Sequence, residues 1–304
     1  MKISARKIKQ RIKFLNNFQK ITKSVSLISA IRFRKSFLTI KRIILNVFYL
    51  MDVFYQLANR YPQIINYLTL ERIKIKTKEK NLLIIVVNSD RGLAGAFDQL
   101  IFKKTEELIQ KLESQNILIG VLGRKGVNYF SKKFNLLFSY KNFENFLPEN
   151  LARELFNYLN QLIKQGRINE IYFIRSNLTP VGFLVEELKI FPYDVETIKN
   201  LIDKIKPRMK EWESLVHQDI LKISEDYIFE PNIKTVLLTI LANVFYLILY
   251  TLILESQASL ELTRTITMKK ASNNAQEIKN KTILEYNKIR QQKITEELID
   301  LLRT

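Results

Sequence analysis

Side chains able to do chemistry are few in this sequence, and their spacing does not assemble a reaction centre. The one histidine, His217, stands near Trp212 and Asp219; an imidazole acting as general base or metal ligand needs partners, and the 304 residues hold no second histidine and no cysteine. Disulfide frameworks, thiolate zinc sites, iron-sulfur clusters and thiol nucleophiles are thereby excluded. His217 reads as a surface or packing residue. The carboxylate pairs Glu106-Glu107, Glu186-Glu187 and Glu296-Glu297 are adjacent in sequence, so on a helix their members point in different directions and do not work as acid and base on one substrate. A phosphate cradle needs Gly-x-Gly-x-x-Gly or Gly-Lys-Ser/Thr. Gly92-Leu93-Ala94-Gly95-Ala96-Phe97 and Gly123-Arg124-Lys125-Gly126 match neither and read as strand-to-helix turns. No catalytic residue, cofactor site or metal site is expected.

The elements that would position such groups are legible from the helix breakers. All seven glycines lie between Gly92 and Gly182 and all six prolines between Pro62 and Pro231, leaving residues 1–61 and 232–304 free of both. Two uninterrupted ends predict two long helices; 73 residues of helix would span roughly 110 Å, a rod that needs a partner along its length. At the N-terminus, Ile8, Ile12, Leu15, Phe18, Ile21, Val25, Ile28 and Ile31 recur at spacings of three and four. At the other end Met268, Ala271, Ala275 and Ile278, then Ile294, Leu298 and Leu301, keep the same spacing, interrupted around residues 282–289. An antiparallel coiled coil of the two termini is the economical reading.

Between them the pattern changes. Leu82–Val87, Ile117–Leu122 and Glu170–Arg175 are short aliphatic runs alternating with helical patterns over 98–113 and 151–164, and Phe183–Pro192 reads as an added edge strand. This predicts a Rossmann-like α/β domain with a mainly parallel sheet. The expected organisation is an N-terminal coiled-coil helix over 1–60, a central α/β domain over 75–205 and a long C-terminal helix over 208–304.

Charge and hydropathy leave three partner classes open. Lys and Arg number 49 against 30 Asp and Glu, a net charge of +19, and thirteen of the basic residues fall before Asp52 with no acidic residue among them. Such an end suits nucleic acid, anionic lipid or an acidic protein; it also describes a transit peptide, although the apolar stripe continues past residue 30. Thr235–Leu254 is twenty residues without a charge, a membrane-span candidate by hydropathy, competing with a helix buried against the sheet and the first helix.

Specific motifs narrow these options. Ile8-Lys9-Gln10-Arg11-Ile12-Lys13 with Asn16-Asn17-Phe18-Gln19-Lys20-Ile21-Thr22-Lys23 resembles the opening helix of the γ subunit of F-type ATP synthases. Ser89-Asp90-Arg91-Gly92-Leu93-Ala94-Gly95-Ala96-Phe97 is similar to that family's loop after its first strand, and Tyr227-Ile228-Phe229-Glu230-Pro231 to the segment leading into its last helix. Glu255-Ser256-Gln257-Ala258-Ser259, Arg264, Met268-Lys269, Ala271, Asn274-Ala275, Tyr286-Asn287-Lys288, Arg290-Gln291 and Ile294-Thr295-Glu296-Glu297-Leu298 follow its C-terminal signature in order and spacing. The chain departs from the family at Val25-Ser26-Leu27-Ile28-Ser29, where a Met- and Ala-rich run is usual, and at Ala94 and Ala96, where Cys and Gly are common.

The resemblance implies a central-stalk rotor without an active site. Its helical pair would enter a hexameric ring of α and β subunits, and its α/β domain would stand beside ε and the c-ring, with only peripheral membrane contact through the complex. The expected place is the cytoplasmic face of a bacterial inner membrane or the equivalent organellar face. Arg264, Arg290, Gln291, Thr295 and Glu297 would meet loops of the ring and Arg91 would lie near β, while Tyr227 and Glu230 would lie at the foot toward the c-ring and ε. The basic first helix would face an acidic segment of β. Under the resemblance, the alternatives of a nucleic-acid-binding protein or a single-pass membrane protein recede.

Overall fold

In a computed structural model, residues 5–61, 81–112, 116–179, 182–192 and 228–303 are described. His217, Trp212, Asp219, Tyr227 and the expected helical stretch 208–227 lie outside them. Two long helices, α1 (Ala5–Arg60) and α5 (Ile233–Arg303), occupy the segments without Gly or Pro. Between them follow β1 (Asn81–Val87), α2 (Phe97–Lys111), β2 (Asn116–Leu122), α3 (Arg124–Phe130), β3 (Leu136–Tyr140), a 3₁₀ turn at Phe143–Asn145, α4 (Pro148–Lys164), β4 (Glu170–Thr179) and β5 (Gly182–Phe191). The chain divides into two compact units, one of residues 33–92 and 96–260, the other of residues 1–32, 93–95 and 261–304.

The larger unit is built on a five-stranded sheet ordered β3-β2-β1-β4-β5. The first three pairings in that order, β3 with β2, β2 with β1 and β1 with β4, are parallel, and β5 runs antiparallel to β4 on the edge. A parallel sheet needs cover on both faces, which is why β1 reads as an unbroken aliphatic run. Alternate residues serve opposite sides. Leu83, Ile85 and Val87 join a core with Leu151, Leu155 and Leu159 of α4, Ile44 and Phe54 of α1, and Phe245 and Leu249 of α5. Across the sheet, α2 packs on β1, β4 and β5, and α3 on β2 and β3. Helix α4 starts with Pro148 at its first turn and ends where Gly166, at φ +68°, lets Gly166 and Arg167 donate to the carbonyls of Ile163 and Leu162.

Three sequence expectations change here. Strand β3 has no counterpart in the sequence reading: it is short, follows Lys132-Lys133-Phe134-Asn135, and is only half buried at the sheet edge. The charge-free stretch 235–254 passes a length and hydropathy test for a membrane span, yet half of the apolar window is buried inside the fold, with Leu237, Leu249 and Ile253 wholly enclosed. Its lack of charge follows from packing on the sheet side and on α1 at once. The third change concerns the stripe of α1. Ile8 and Leu15 are buried, but Ile21, Ile28 and Ile31 are more than half exposed, while Thr22 and Ser29 are buried in their place.

Candidate partner-binding surfaces

The smaller unit pairs the first part of α1 with the second part of α5. Ser26 Oγ donates to the carbonyl of Thr265 (3.2 Å), Arg32 reaches Glu261 (3.5 Å), and Lys279 Nζ donates to Gln19 Oε1 (3.1 Å) and Asn16 Oδ1 (3.5 Å). The partners' numbers total 291, 293, 298 and 295, nearly constant, whereas their differences run from 229 to 263. The helices are therefore antiparallel. On α1 the buried positions Ile8, Leu15, Thr22 and Ser29 repeat every seven residues; facing them on α5 are Glu261, Arg264, Met268, Ser272, Ala275 and Thr282. The hydroxyls of Thr22 and Thr282 donate to carbonyls of their own helix, at Phe18 (3.0 Å) and Ile278 (2.8 Å), so the polar seam needs no solvent to satisfy them.

Against this geometry the sequence-derived site residues separate. Arg264 is 5% exposed, and its guanidinium donates to Glu261 Oε1 at 3.0 Å. It is an inward residue of the helical pair, although the resemblance had put it against a surrounding ring. Arg290, Gln291, Thr295 and Glu297 are exposed. By the near-constant sum, Ala5 stands opposite roughly residue 290, so the end of α5 lies beyond the described part of its partner helix. Within that end Thr295 Oγ1 donates to the Gln291 carbonyl (3.0 Å) and Lys293 pairs with Glu297 (3.2 Å, i,i+4), while Leu298, Leu301 and Leu302 are 56%, 72% and 88% exposed. On α1, Arg6, Lys7, Lys9, Arg11, Lys13, Lys20 and Lys23 form no ion pair among the described residues.

Arg91 is exposed at the loop after β1, where it donates to Asn145 Oδ1 (3.0 Å). The loop beneath it is pinned by carboxylates. Asp90 accepts from the backbone N–H of Arg124 (2.8 Å), Asn142 (2.8 Å) and Glu144 (2.9 Å), and Glu144 accepts in return from the Asp90 N–H (2.8 Å). Asp98 accepts from the N–H and hydroxyl of Ser89 and from Lys125 Nζ (2.9 Å). Gly95, at φ +55°, lies against α5: a Cβ there would stand 3.1 Å from Thr267 Oγ1. These bonds use the carboxylates for loop structure. Ser89-Asp90 thus serves backbone donors, where a phosphate loop would present them to a ligand.

Glu230 is exposed, and beside it Phe229 meets Tyr61 edge-on at 6.2 Å. An open groove between α1 and α5 in the larger unit is lined by Asn46, Tyr49, Leu50, Asn243, Tyr246 and Leu247, without an ionisable acid or base of acid/base strength near neutrality. Burial raises the pKa of the Tyr246 and Tyr250 phenols above the ordinary tyrosine value. Among the described residues no group of three His, Asp or Glu side chains is placed to hold a metal ion.

The sequence matches the family model described as ATP synthase over residues 4–303. The ATP synthase gamma chain of Sulfurihydrogenibium sp. is 31% identical, over 99% of this chain and 97% of its own length. The chain belongs to the ATP synthase gamma-chain family. Gamma chains of Chloroherpeton thalassium (26% identical, 98% of this chain and 95% of the relative) and Hydrogenobaculum sp. (28%, 99% and 97%) align over the same extent. Among solved structures, the fold is similar to a chain of the Euglena gracilis mitochondrial ATP synthase rotor (TM-score 0.59, 14% identical, 95% of this chain and 98% of that one) and to one of the Tetrahymena thermophila mitochondrial ATP synthase central stalk and c-ring (0.54, 19%, 83% and 99%). As a gamma-family chain, it is one subunit of a multi-subunit enzyme. The residues missed by sequence reasoning are Ser26, Arg32, Glu261 and Lys279, polar positions inside or beside the seam, which an apolar-stripe search passes over.

Proposed function

We propose that the chain is the non-catalytic rotor of the central stalk of an F-type ATP synthase, carrying rotation of the membrane c-ring to the catalytic sites of the α/β hexamer during proton-driven synthesis. The observation that carries this reading is the helical pair: an antiparallel seam with many small and polar residues, and apolar and basic outer faces that find no partner among the described residues. Stiffness comes from two helices without Gly or Pro, and the acid-free stripe of α1 suits an acidic segment of a surrounding β subunit. Arg290, Gln291, Thr295 and Glu297 would meet loops of the ring, and Arg91 a neighbouring β. Tyr227 and Glu230 would meet ε or the c-ring. Arg264 would reach the ring only through the helix it helps to hold. No cofactor enters the role. The assembly is membrane-bound, and the chain would lie on the cytoplasmic face of a bacterial inner membrane or the corresponding organellar face, touching lipid only through its partners.

The test is to co-express a tagged form of this chain with α, β, ε and c subunits from the same genome. The expected result is recovery of an intact complex whose ATP hydrolysis drives proton movement. Arg290→Ala together with Gln291→Ala should lower proton movement per ATP hydrolysed while leaving the yield of complex intact. Recovery of the tagged chain alone, stable and without ATPase subunits, would defeat the reading; salt-sensitive binding to duplex or single strands in place of assembly would replace it.

A further inference from the structure

Where both long helices leave the smaller unit, at Arg32 on α1 and Glu261 on α5, a buried charge cluster joins them. Glu261 is 6% exposed and Arg264 5%. One carboxylate oxygen, Oε1, takes both guanidinium groups, Arg264 at 3.0 Å from its own helix and Arg32 at 3.5 Å from the partner helix. The other oxygen, Oε2, is enclosed and has no hydrogen-bond partner among the described residues. The two arginines differ: the Arg32 side chain is half exposed and that of Arg264 is enclosed. Thr265 adds a hydroxyl bond to the Glu261 carbonyl (2.8 Å), and one residue along, Ser26 reaches the Thr265 carbonyl. The cross-helix polar ties thus lie at two levels, this one and, about four turns along α5, Lys279 with Gln19 and Asn16, while the seam between them holds Thr22, Met268 and Ala275.

We infer that Glu261 is a register pin: it fixes the axial alignment of α1 against α5 by accepting both arginines at once, and Arg264 acts through it. Where the seam is built of Thr22, Ser29, Ser272, Ala275 and Thr282 it discriminates poorly between neighbouring registers, because sliding one turn exchanges one small contact for another. A slide leaves Glu261 with Arg264, since both stand on α5, but takes Arg32 away, so an enclosed carboxylate whose Oε2 already lacks a partner among the described residues loses its cross-helix donor. Buried ion groups of this kind add little net stability compared with apolar residues of like size, and fixing register is their best-attested use. Glu261 is a positioning residue here, with no role toward any ligand. The inference stands on the geometry of the pair and does not depend on the rotor reading.

The chain lacks cysteine, so an introduced pair is the sole source of an internal disulfide. In the full chain, assembled with its partners, Ser26→Cys combined with Thr265→Cys reports the observed register, and Ser26→Cys combined with Lys269→Cys or Leu262→Cys reports a slide of one turn either way. With the cluster intact, oxidation should favour the observed pair by about tenfold, the discrimination expected when an enclosed carboxylate loses one of its two charged donors. In the background Arg32→Met, Glu261→Leu and Arg264→Leu, which removes every charge together, the preference should fall to about threefold or less while helix content is kept. Glu261→Gln, which keeps the shape and removes the negative charge, should lower it as well and serves if the triple variant does not fold. An unchanged preference in either background overturns the inference.

Discussion

The two units of the molecule are held by different physics although the same two helices run through both. In the larger unit α5 contributes Leu237, Phe245, Leu249 and Ile253, all at or below 1% exposure, to a core shared with the sheet. In the smaller unit the inward positions of the same helix are Glu261, Arg264, Ser272, Ala275 and Thr282, with Met268 the one long apolar side chain. Apolar burial therefore stabilises the first strongly and the second weakly. The smaller unit also keeps Phe14, Ile21, Leu27, Ile28 and Ile31 between 52% and 64% exposed. An element with a polar seam and an apolar exterior is one whose surroundings complete it, which is what a shaft inside a ring of other subunits requires.

The largest effect should come from breaking the larger unit at a position α5 shares with it. Phe245→Ala removes a side chain packed 5.9 Å from Phe156, between sheet and helices, and should cost about 3–5 kcal/mol. Denaturant unfolding of the full chain measures it, and a loss below about 1 kcal/mol would mean that the α5 contribution to this core has been misjudged. Met268→Ala, the equivalent truncation in the smaller unit, should cost less, about 2 kcal/mol, since its neighbours across the seam are already small. Similar losses at the two positions would erase the contrast between the units.

A third substitution sharpens the contrast from outside. Ile21→Thr with Ile28→Thr changes two side chains that are 62% and 52% exposed, so the stability of the isolated chain should move by no more than about 0.5 kcal/mol. Recovery of the complex with α and β should nevertheless fall, because those side chains are apolar surface offered to a partner. Equal recovery of the variant and the parent complex would show that this face stays uncovered.

How far the sequence discloses all this depends on which force shapes each region. Strands β1, β2 and β4 are legible because a strand buried on both faces must be aliphatic throughout, and the long helices because Gly and Pro are absent over whole segments. Strand β3 is not: at the edge it needs no aliphatic run, and Leu136–Tyr140 looks like any mixed pentapeptide. The seam of α1 is misread for a related reason. An apolar stripe marks whatever helix face meets something apolar, and at Ile21 and Ile28 nothing among the described residues covers it, while Thr22 and Ser29 are the buried positions. Among the site residues, exposed Arg290, Gln291, Thr295 and Glu297 carry no local mark at all and come from the resemblance alone. Arg264 shows the limit of that transfer, since its guanidinium turns inward to Glu261, an acid no stripe or motif had singled out.

The smallest expected effect is a pH dependence confined to the larger unit. Lys133 on the segment after α3 donates to Glu106 Oε1 of α2 at 2.6 Å, and the Tyr129 hydroxyl donates to the same oxygen at 2.8 Å. The bond from Lys133, then that from Tyr129, holds the Glu106 carboxyl below its ordinary 4.5, and the bond to Glu106 lifts the Lys133 ammonium above its ordinary 10.5. A depressed carboxylate contributes stability that is fully present above 4.5 and is lost as pH falls through its lower folded value. The raised ammonium contributes stability that is fully present below 10.5 and is lost as pH rises through its higher folded value. Both groups are largely open to solvent, so salt screens the pair and the effect is small. Thermal melting of the parent chain should therefore decline from pH 5 to pH 3 slightly more than that of Glu106→Gln, in low salt, with the gap closing at high salt. Parallel pH profiles for the two would show that the pair adds nothing to the packing of α2 on α3, leaving Phe102 stacked on Tyr129 at 4.0 Å to hold these helices together.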